Sequence, residues 1–511
     1  VLAVLSRSYN PLYPLLIIFC ECIFLFVLAL CFSGVLAGSV FVHAFRENSS
    51  TCIVALFAAA FCLLVSYPGN LYSDSYGRIG LAQRLKTIVG GVLEGKPLPV
   101  SFWLTVTPSY FLAFFYYLTG NIAAFTFVQA FAFFYVTLLL LQKLCPRYRF
   151  FACLLVICNP LFFCVSIYHE TGIGAVIGME IFLLLLDADV PRMGLFDRIV
   201  VFFLLFFASF VTFGFRANAL TVLPPLVAFF VLYQKELLGR ILYLAALCGG
   251  ILAVVLIPRA LHIDTMSSVS AGFVWEMGTS IAYMSPDKQP EYLDYLDDLF
   301  GEGYTRRLSA YIGPMGKFNA NICSMFELEG GAGADISRVG LRKIFAKYVG
   351  LYAKAPSDSL RTKGFFVAQV LGTGRWPLHL WEWDYDRWGR GAEFGLSDSF
   401  QRHIFMNLYE VAVTKTFFPL RPYAVLLLAV LAVCLRLRLC HVQLRDCPEW
   451  RLIVLAVFYY VAFAIDTQSM EFRYFYPAFF LLAMSVISSV AAAADAATAC
   501  AARALSARSR G

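Results

Sequence analysis

Charge is scarce in this chain. Asp, Glu, Lys and Arg make up 14% of its 511 residues, against about 25% in a soluble domain. That shortage excludes an ordinary soluble globule. Metal-binding cysteine patterns are missing too. No C-x-x-C pair and no His/Cys cluster with zinc spacing occurs, although there are fifteen cysteines. Most of these, Cys20, Cys22, Cys62, Cys153, Cys158 and Cys164 among them, lie within apolar runs, where cysteine acts as a small apolar residue. No internal repeat of the inverted-topology kind stands out. The first apolar run is too long for a signal-peptide core and has no short cationic start, so it is expected to be a span rather than a cleaved leader.

What is present is hydrocarbon. Hydrophobic residues make up 60% of the chain, and mean hydropathy is +0.74. Apolar runs of spanning length are Leu12–Val42, Cys52–Ser66, Ile122–Leu141, Phe150–Tyr168, Gly172–Leu186, Ile199–Phe215, Ala217–Tyr233, Ile241–Ile257, Phe417–Leu435, Leu452–Ile465 and Phe475–Ala494. The fold expected is therefore an all-α polytopic membrane protein with about eleven spans. The net charge of +7 reads as basic loops on one side, not as a nucleic-acid surface.

Lys143, Arg147 and Arg149 share one loop, and Arg192 and Arg198 another. Lys235 and Arg240 share a third, and Arg436, Arg438, Arg445 and Arg451 a fourth. Arg503, Arg508 and Arg510 lie near the end. These spans put every one of those loops on the same side, which the positive-inside rule makes cytoplasmic. The first residues then lie outside. So do the loop 67–120, the turn at His169-Glu170, the region 258–416 and the turn 466–473. This topology needs Phe102–Leu118, with Pro108 and several tyrosines, to be interfacial or re-entrant. Three regions follow: an N-terminal membrane module (1–257), a mainly helical extracytoplasmic domain (258–416), and C-terminal spans with a basic tail (417–511). Within the outer domain, Leu341–Lys354 carries Arg342, Lys343, Lys347 and Lys354 at helical spacing. Two readings stand side by side: a helix lying on the membrane, or a solvated face packed on its own domain.

Polar residues gather at the outer ends of the spans. Pro68-Gly69 stops the second span, and Asp74 and Arg78 follow it. Asp74 is either a carboxylate held at the membrane surface for chemistry or, with Ser73, a helix cap. His169 and Glu170 follow the fourth span. Arg216 and Asn218 interrupt a long apolar stretch, and Glu471, Arg473, Tyr474 and Tyr476 open the last span. Ionisable groups in such positions face bundle interiors and are usually functional. Arg216 can instead snorkel to headgroups, Arg473 can bridge to Glu471 or Asp466, and His169-Glu170 can be a plain polar turn. Taken together they make an anion site, because the guanidinium fork matches phosphate oxygens. Four of the seven tryptophans fall between Trp376 and Trp388, interleaved with Glu382, Asp384 and Asp386. Trp381 and Trp383 are placed to stack on sugar rings or to sit in an aromatic belt.

In order and spacing, these elements resemble the GT-C glycosyltransferases, polytopic enzymes that use polyprenyl-phosphate sugars on the outer membrane face. The resemblance rests on Pro68-Gly69 to Asp74-Ser75, on Arg216-Ala217-Asn218 followed by Pro224-Pro225, on Tyr311 and Lys317 in the long outer region, and on Arg473-Tyr474-Phe475-Tyr476-Pro477. A bacterial branch of that group is the nearest pattern. It carries a His-Pro where this chain has Val106-Thr107-Pro108, and a Lys-Asp where it has His169-Glu170. The resemblance implies sugar transfer with inversion (EC 2.4 type) to an extracytoplasmic glycan, lipid or protein, at the outer face of the cytoplasmic membrane. It implies Asp74 as catalytic base and Arg216 and Arg473 as phosphate ligands. Arg78, His169, Glu170, Asn218, Tyr311, Lys317, Tyr474, Trp381 and Trp383 would contact substrate. No cofactor is required by the residues, and the two departures leave a divalent metal and the donor sugar open. The rival readings are a lipid-linked sugar flippase or transporter, which needs no Asp in the first outer loop, and a polysaccharide polymerase or ligase.

Overall fold

The structure is a computed structural model that describes residues 48–67, 69, 73–98, 100–102, 105–148, 151–152, 154–155, 171–265, 268–315, 339–371, 422–465 and 472–508. Those residues are almost wholly helical. The first helices are α1 (Ser49–Ser66), α2 (Ser73–Leu93), α3 (Thr107–Thr119), α4 (Ala123–Leu144), α5 (Thr171–Leu185) and α6 (Leu195–Phe215). A 3₁₀ segment, Ala217–Val222, leads into α7 (Leu223–Tyr233), and α8 spans Leu237–Ala260. A second unit, called the outer unit only because the sequence leads one to expect it outside, contains α9 (Ser268–Ala282), two single-turn helices (Gln289–Tyr292 and Asp297–Phe300), α10 (Tyr304–Met315), α11 (Leu341–Lys354) and α12 (Pro356–Val370). The chain closes with α13 (Pro422–Cys440), α14 (Glu449–Ile465) and α15 (Phe472–Arg508).

Among the described residues, five helices are long and apolar enough to cross a membrane: Ala123–Leu144, Leu195–Phe215, Leu237–Ala260, Tyr423–Cys440 and Phe475–Ala501. Shorter apolar helices occupy Ser49–Leu64, Gly172–Leu185 and Ala217–Tyr233. Of the eleven expected spans, 12–42 and nearly all of 150–168 lie outside the described residues. Phe57, Phe203, Leu252, Leu427 and Leu431 stand exposed on the flanks of these helices, as side chains bathed in hydrocarbon would.

Side-chain pairings sort the helix ends into two groups. At one end, Thr51 Oγ1 donates to Gln142 Oε1 at 3.1 Å, Lys143 pairs with Asp187 at 3.1 Å, and Arg451 reaches the same carboxylate at 3.2 Å. Gln234 donates to the Leu186 carbonyl at 2.6 Å, and Arg147 pairs with Asp495 at 2.9 Å. Arg436 pairs with the buried Glu449. All four basic loops of the sequence reading that link described helices meet here. At the other end, Asn121 donates to the Tyr67 hydroxyl at 2.5 Å and Thr105 Oγ1 donates to the Phe215 carbonyl at 3.0 Å. There too, Lys363 Nζ donates to the Ile465 carbonyl at 2.9 Å.

Helix α3 has both of its ends at this second end. Thr107 presses on Gly214, and the Asn121 that joins Tyr67 follows directly after Gly120, whose φ of 72° and N–H to the Tyr116 carbonyl close the helix. Thirteen residues make a rod of about 20 Å, short of the ~30 Å hydrocarbon thickness. Among the described residues, the sheet structure is one parallel pair of three-residue strands. In it β1 (Val100–Phe102) lies on β2 (Ile263–Thr265), with Val100 opposite Ile263. Helix α8 continues through Pro258 to Ala260.

Small residues let the helices approach. Gly174 and Gly178, one helical turn apart on α5, receive Phe215 and Thr212 of α6, and Gly250 of α8 receives Ser209. The main core runs through α1, α4–α8 and α13–α15. A separate core holds the outer unit together around Trp275, Leu296, Leu308 and Phe366.

Candidate functional site

The segment between α1 and α2 is shaped by its punctuation. Helix α1 ends at Tyr67, which is extended (φ −57°, ψ 137°), and Gly69 takes φ 127°, a backbone state that side chains disfavour. Helix α2 then starts at Ser73, which makes Asp74 its second residue. A carboxylate in a first turn is favoured by the helix dipole. The Asp74 side chain itself lies outside the described residues. One turn on, Arg78 is 2% exposed. The turn around it packs Tyr76, Ile79 and Ala82 against Ile122 and Phe125 at the start of α4 and against Val211 and Phe215 at the end of α6.

Arg216 follows Phe215 directly. It caps α6 in an extended conformation (φ −139°, ψ 115°) and is half-buried. Pro224 and Pro225 open the first turn of α7, where a missing N–H costs nothing. The residues before them, unable to join a regular α-helix through two prolines, take up the 3₁₀ segment instead. Asn218 lies in that segment, half-buried, and its carbonyl accepts from Thr221 Oγ1 at 3.0 Å. The Phe215 ring fills the space left by Gly174 at the start of α5. The starts of α2, α4 and α5 and the end of α6 therefore converge on one spot.

The 3₁₀ segment packs on α14, and its Ala219 and Val222 share the main core with Phe475 and Tyr476 of α15. Phe475 stacks on Tyr460 at 5.1 Å and tilts against Phe463 at 4.6 Å. Arg473 and Tyr474 are the second and third residues of α15, and their side chains lie outside the described residues. At backbone level, Asp74, Arg78, Arg216, Asn218 and Arg473 thus occupy the end of the bundle opposite the basic loops. His169, Glu170, Lys317, Trp381 and Trp383 lie outside the described residues. Tyr311 is described and sits apart from the helix ends. It packs on the core of the outer unit, edge-on to Trp275 at 6.4 Å.

An open apolar cavity lies beside the start of α15, walled by Val367 and Leu371 of α12, Tyr423 of α13, Tyr460 and Ala464 of α14, and Phe479 of α15. Its walls suit a hydrocarbon chain. No group of three or more His, Cys, Asp and Glu side chains spaced for a metal occurs among the described residues.

Three polar groupings escaped the sequence reading. Glu276, on α9, is buried and takes hydrogen bonds from Tyr352 at 2.8 Å, Tyr348 at 3.0 Å and Lys363 at 2.5 Å. Burial, then the Glu276 charge, pushes the Tyr348 hydroxyl pKa up. Glu180 is fully buried on α5, with both carboxylate oxygens 3.0–3.1 Å from Thr137 Oγ1. At the basic end, Arg451 joins Asp187 while lying 3.8 Å over the Tyr233 ring. Burial opposes ionisation of Asp187, but Lys143 and Arg451 outweigh it and hold the carboxyl below its ordinary range. Glu180 had a visible signal, a single acid in an apolar run. The other two join residues far apart in sequence, and no local pattern announces them.

The chain matches no protein-family model, no curated protein and no solved structure.

Proposed function

We propose that this protein is a membrane glycosyltransferase that moves a sugar from a polyprenyl-phosphate donor to an acceptor hydroxyl on the outer face. The observation that carries the reading is the junction of α2 with α6. There Arg78, buried, and Arg216, at a break in an apolar stretch, stand within one cluster of helix ends whose first residues include Asp74. The apolar cavity at α12–α15 adds room for a lipid tail near Arg473.

In this reading Asp74 takes the proton of the acceptor hydroxyl. The oxygen attacks the anomeric carbon, the bond from that carbon to the phosphate oxygen breaks, and polyprenyl phosphate leaves with the electron pair. Phosphate needs no general acid. Arg216 and Arg473 stabilise the charge that grows on it. A single displacement inverts the anomeric carbon, in contrast to the double displacement of retaining enzymes.

The test is Asp74→Asn in the full chain, with transfer from a polyprenyl-phosphate sugar pool and donor binding measured separately in membranes. Transfer is expected to fall about 10²–10⁴-fold with donor binding retained. Arg473→Ala is expected to weaken both, because a charge-assisted phosphate contact is lost. Undiminished transfer by Asp74→Asn sinks the catalytic assignment and favours a lipid-linked sugar flippase.

A further inference from the structure

Helix α11 carries an apolar surface that its own domain does not use. Its inward side is satisfied: Ile344 and Leu351 are buried in the outer unit's core. Next to that side, Leu341, Phe345 and Val349 follow one another at four-residue spacing, so they form one stripe along the helix. They are 43%, 47% and 49% exposed. Phe345 leans on Phe273 at 5.4 Å and still leaves half its ring uncovered. On α12, Leu360 and Phe365 are exposed as well.

The charge around the stripe has one sign. Residues 341–371 contain six cations (Arg342, Lys343, Lys347, Lys354, Arg361, Lys363) and a single acid, Asp358. Asp358 is matched by Lys288 at 3.3 Å. Asp298, which faces α11 from the neighbouring turn, is matched by Lys347 at 2.7 Å, and Glu276 by Lys363. Arg342, Lys343 and Arg361 remain exposed.

The position of α12 says which phase this surface meets. Lys363 donates to the carbonyl of Ile465, the last residue of α14. Beyond it, Val367 and Leu371 enter the wall of the cavity with Tyr423, Tyr460 and Phe479, and the Leu371 carbonyl accepts from the Tyr423 N–H at 3.3 Å. Helix α12 therefore runs into the outer ends of the apolar helices, and α11 packs on it.

We propose that the Leu341–Phe345–Val349 stripe of α11 is a membrane-docking surface that seats in the outer leaflet, with Arg342, Lys343 and Arg361 against anionic phospholipid headgroups. Apolar side chains at helical spacing bordered by cations are the composition of an interfacial helix. Each cation near an anionic surface adds about a five-fold gain in partition, from roughly 1 kcal/mol apiece. The proposal is independent of the glycosyl-transfer reading, since its test needs no donor and no turnover.

The experiment is site-specific photo-crosslinking of the full chain. p-Benzoylphenylalanine is placed at Phe345 or at Lys343, and the protein is reconstituted either into phosphatidylcholine vesicles or into vesicles of equal parts phosphatidylcholine and phosphatidylglycerol. Adducts on the α11 peptide are read by mass spectrometry. Lipid adducts are expected at 345 well above those at 343, with several-fold more in the mixed vesicles. The variant Arg342→Glu/Lys343→Glu, whose changes lie at exposed positions, should lower the mixed-vesicle yield to the phosphatidylcholine level. Any of three results overturns the proposal: no lipid adduct at 345, equal yields in the two vesicles, or adducts to a second copy of the chain in place of lipid.

Discussion

A half-buried aspartate in the outer unit shows how much one side chain can organise. Asp297 accepts hydrogen bonds from the Gly303 N–H at 2.5 Å, the Thr305 N–H at 2.8 Å and the Thr305 hydroxyl at 2.8 Å. Thr305 in turn takes the Leu296 N–H at 2.9 Å on its hydroxyl. Burial works against the Asp297 charge, but the Thr305 and Gly303 donors and the Arg307 charge outweigh it, so the carboxyl is held below its ordinary range. A carboxyl lowered in the folded state stabilises above its unfolded pKa of about 3.9 and loses that contribution as the pH falls through the folded value. Asp297→Asn is accordingly expected to destabilise the outer unit at neutral pH by about 1–3 kcal/mol, seen as a lower thermal midpoint or faster proteolysis of 268–315. The difference from the parent chain should shrink as the pH drops below about 4. A pH-independent difference would show that the carboxylate charge is not what holds the turn. None of this was legible in the sequence, where Asp297 is one acid in a run of acids. By contrast Asp74, Arg78 and Arg216 were legible, because charge beside a spanning run is costly and stands out. Tyr311, a candidate substrate contact by its place in the sequence, packs edge-on to Trp275 at the margin of an aromatic core. A tyrosine in a polar region carries no sign of which of these it will serve.

At the scale of elements, length and apolarity located most helices, while their ends depended on local chemistry. The expected Gly172–Leu186 and Ile199–Phe215 correspond to Thr171–Leu185 and Leu195–Phe215. The expected Ala217–Tyr233 helix begins instead as a 3₁₀ segment before two prolines. The expected Phe475–Ala494 continues to Arg508, because the alanine-rich stretch after Ser489 favours helix with or without a membrane around it. Sequence could not show how closely α5 and α6 approach. A Cβ at Gly178 would meet the Thr212 hydroxyl and the Ala208 carbonyl. Gly178→Ala should therefore cost about 1–3 kcal/mol through forced separation of the two helices. Gly90→Ala on α2, with nothing within 4 Å of the new methyl, should be neutral or stabilise by about 1 kcal/mol. Detergent-resistant thermal unfolding of the two variants checks the contrast, and equal midpoints would remove the close α5–α6 contact from the account.

For the whole molecule, the separation of its two ends is the feature on which every functional statement depends. The basic loops pair with one another around Asp187, Glu449 and Asp495, and the outer unit joins the opposite ends through Lys363. With the native cysteines replaced, an impermeant thiol reagent added outside intact cells should label a cysteine at Ser357 and miss one at Arg147. The reverse pattern would invert the molecule and move the candidate site to the cytoplasm. One more consequence lies in the order in which the chain is made. The strand Val100–Phe102 pairs with Ile263–Thr265, and parallel neighbours need a long crossover. Here that crossover includes α3 and every helix from there to α8. At about 5–20 residues per second, a nascent chain whose Val100 has emerged waits roughly ten to thirty seconds for Ile263. The segment that carries Asp74 is therefore made early and clasped late, and through that interval β1 has no strand partner.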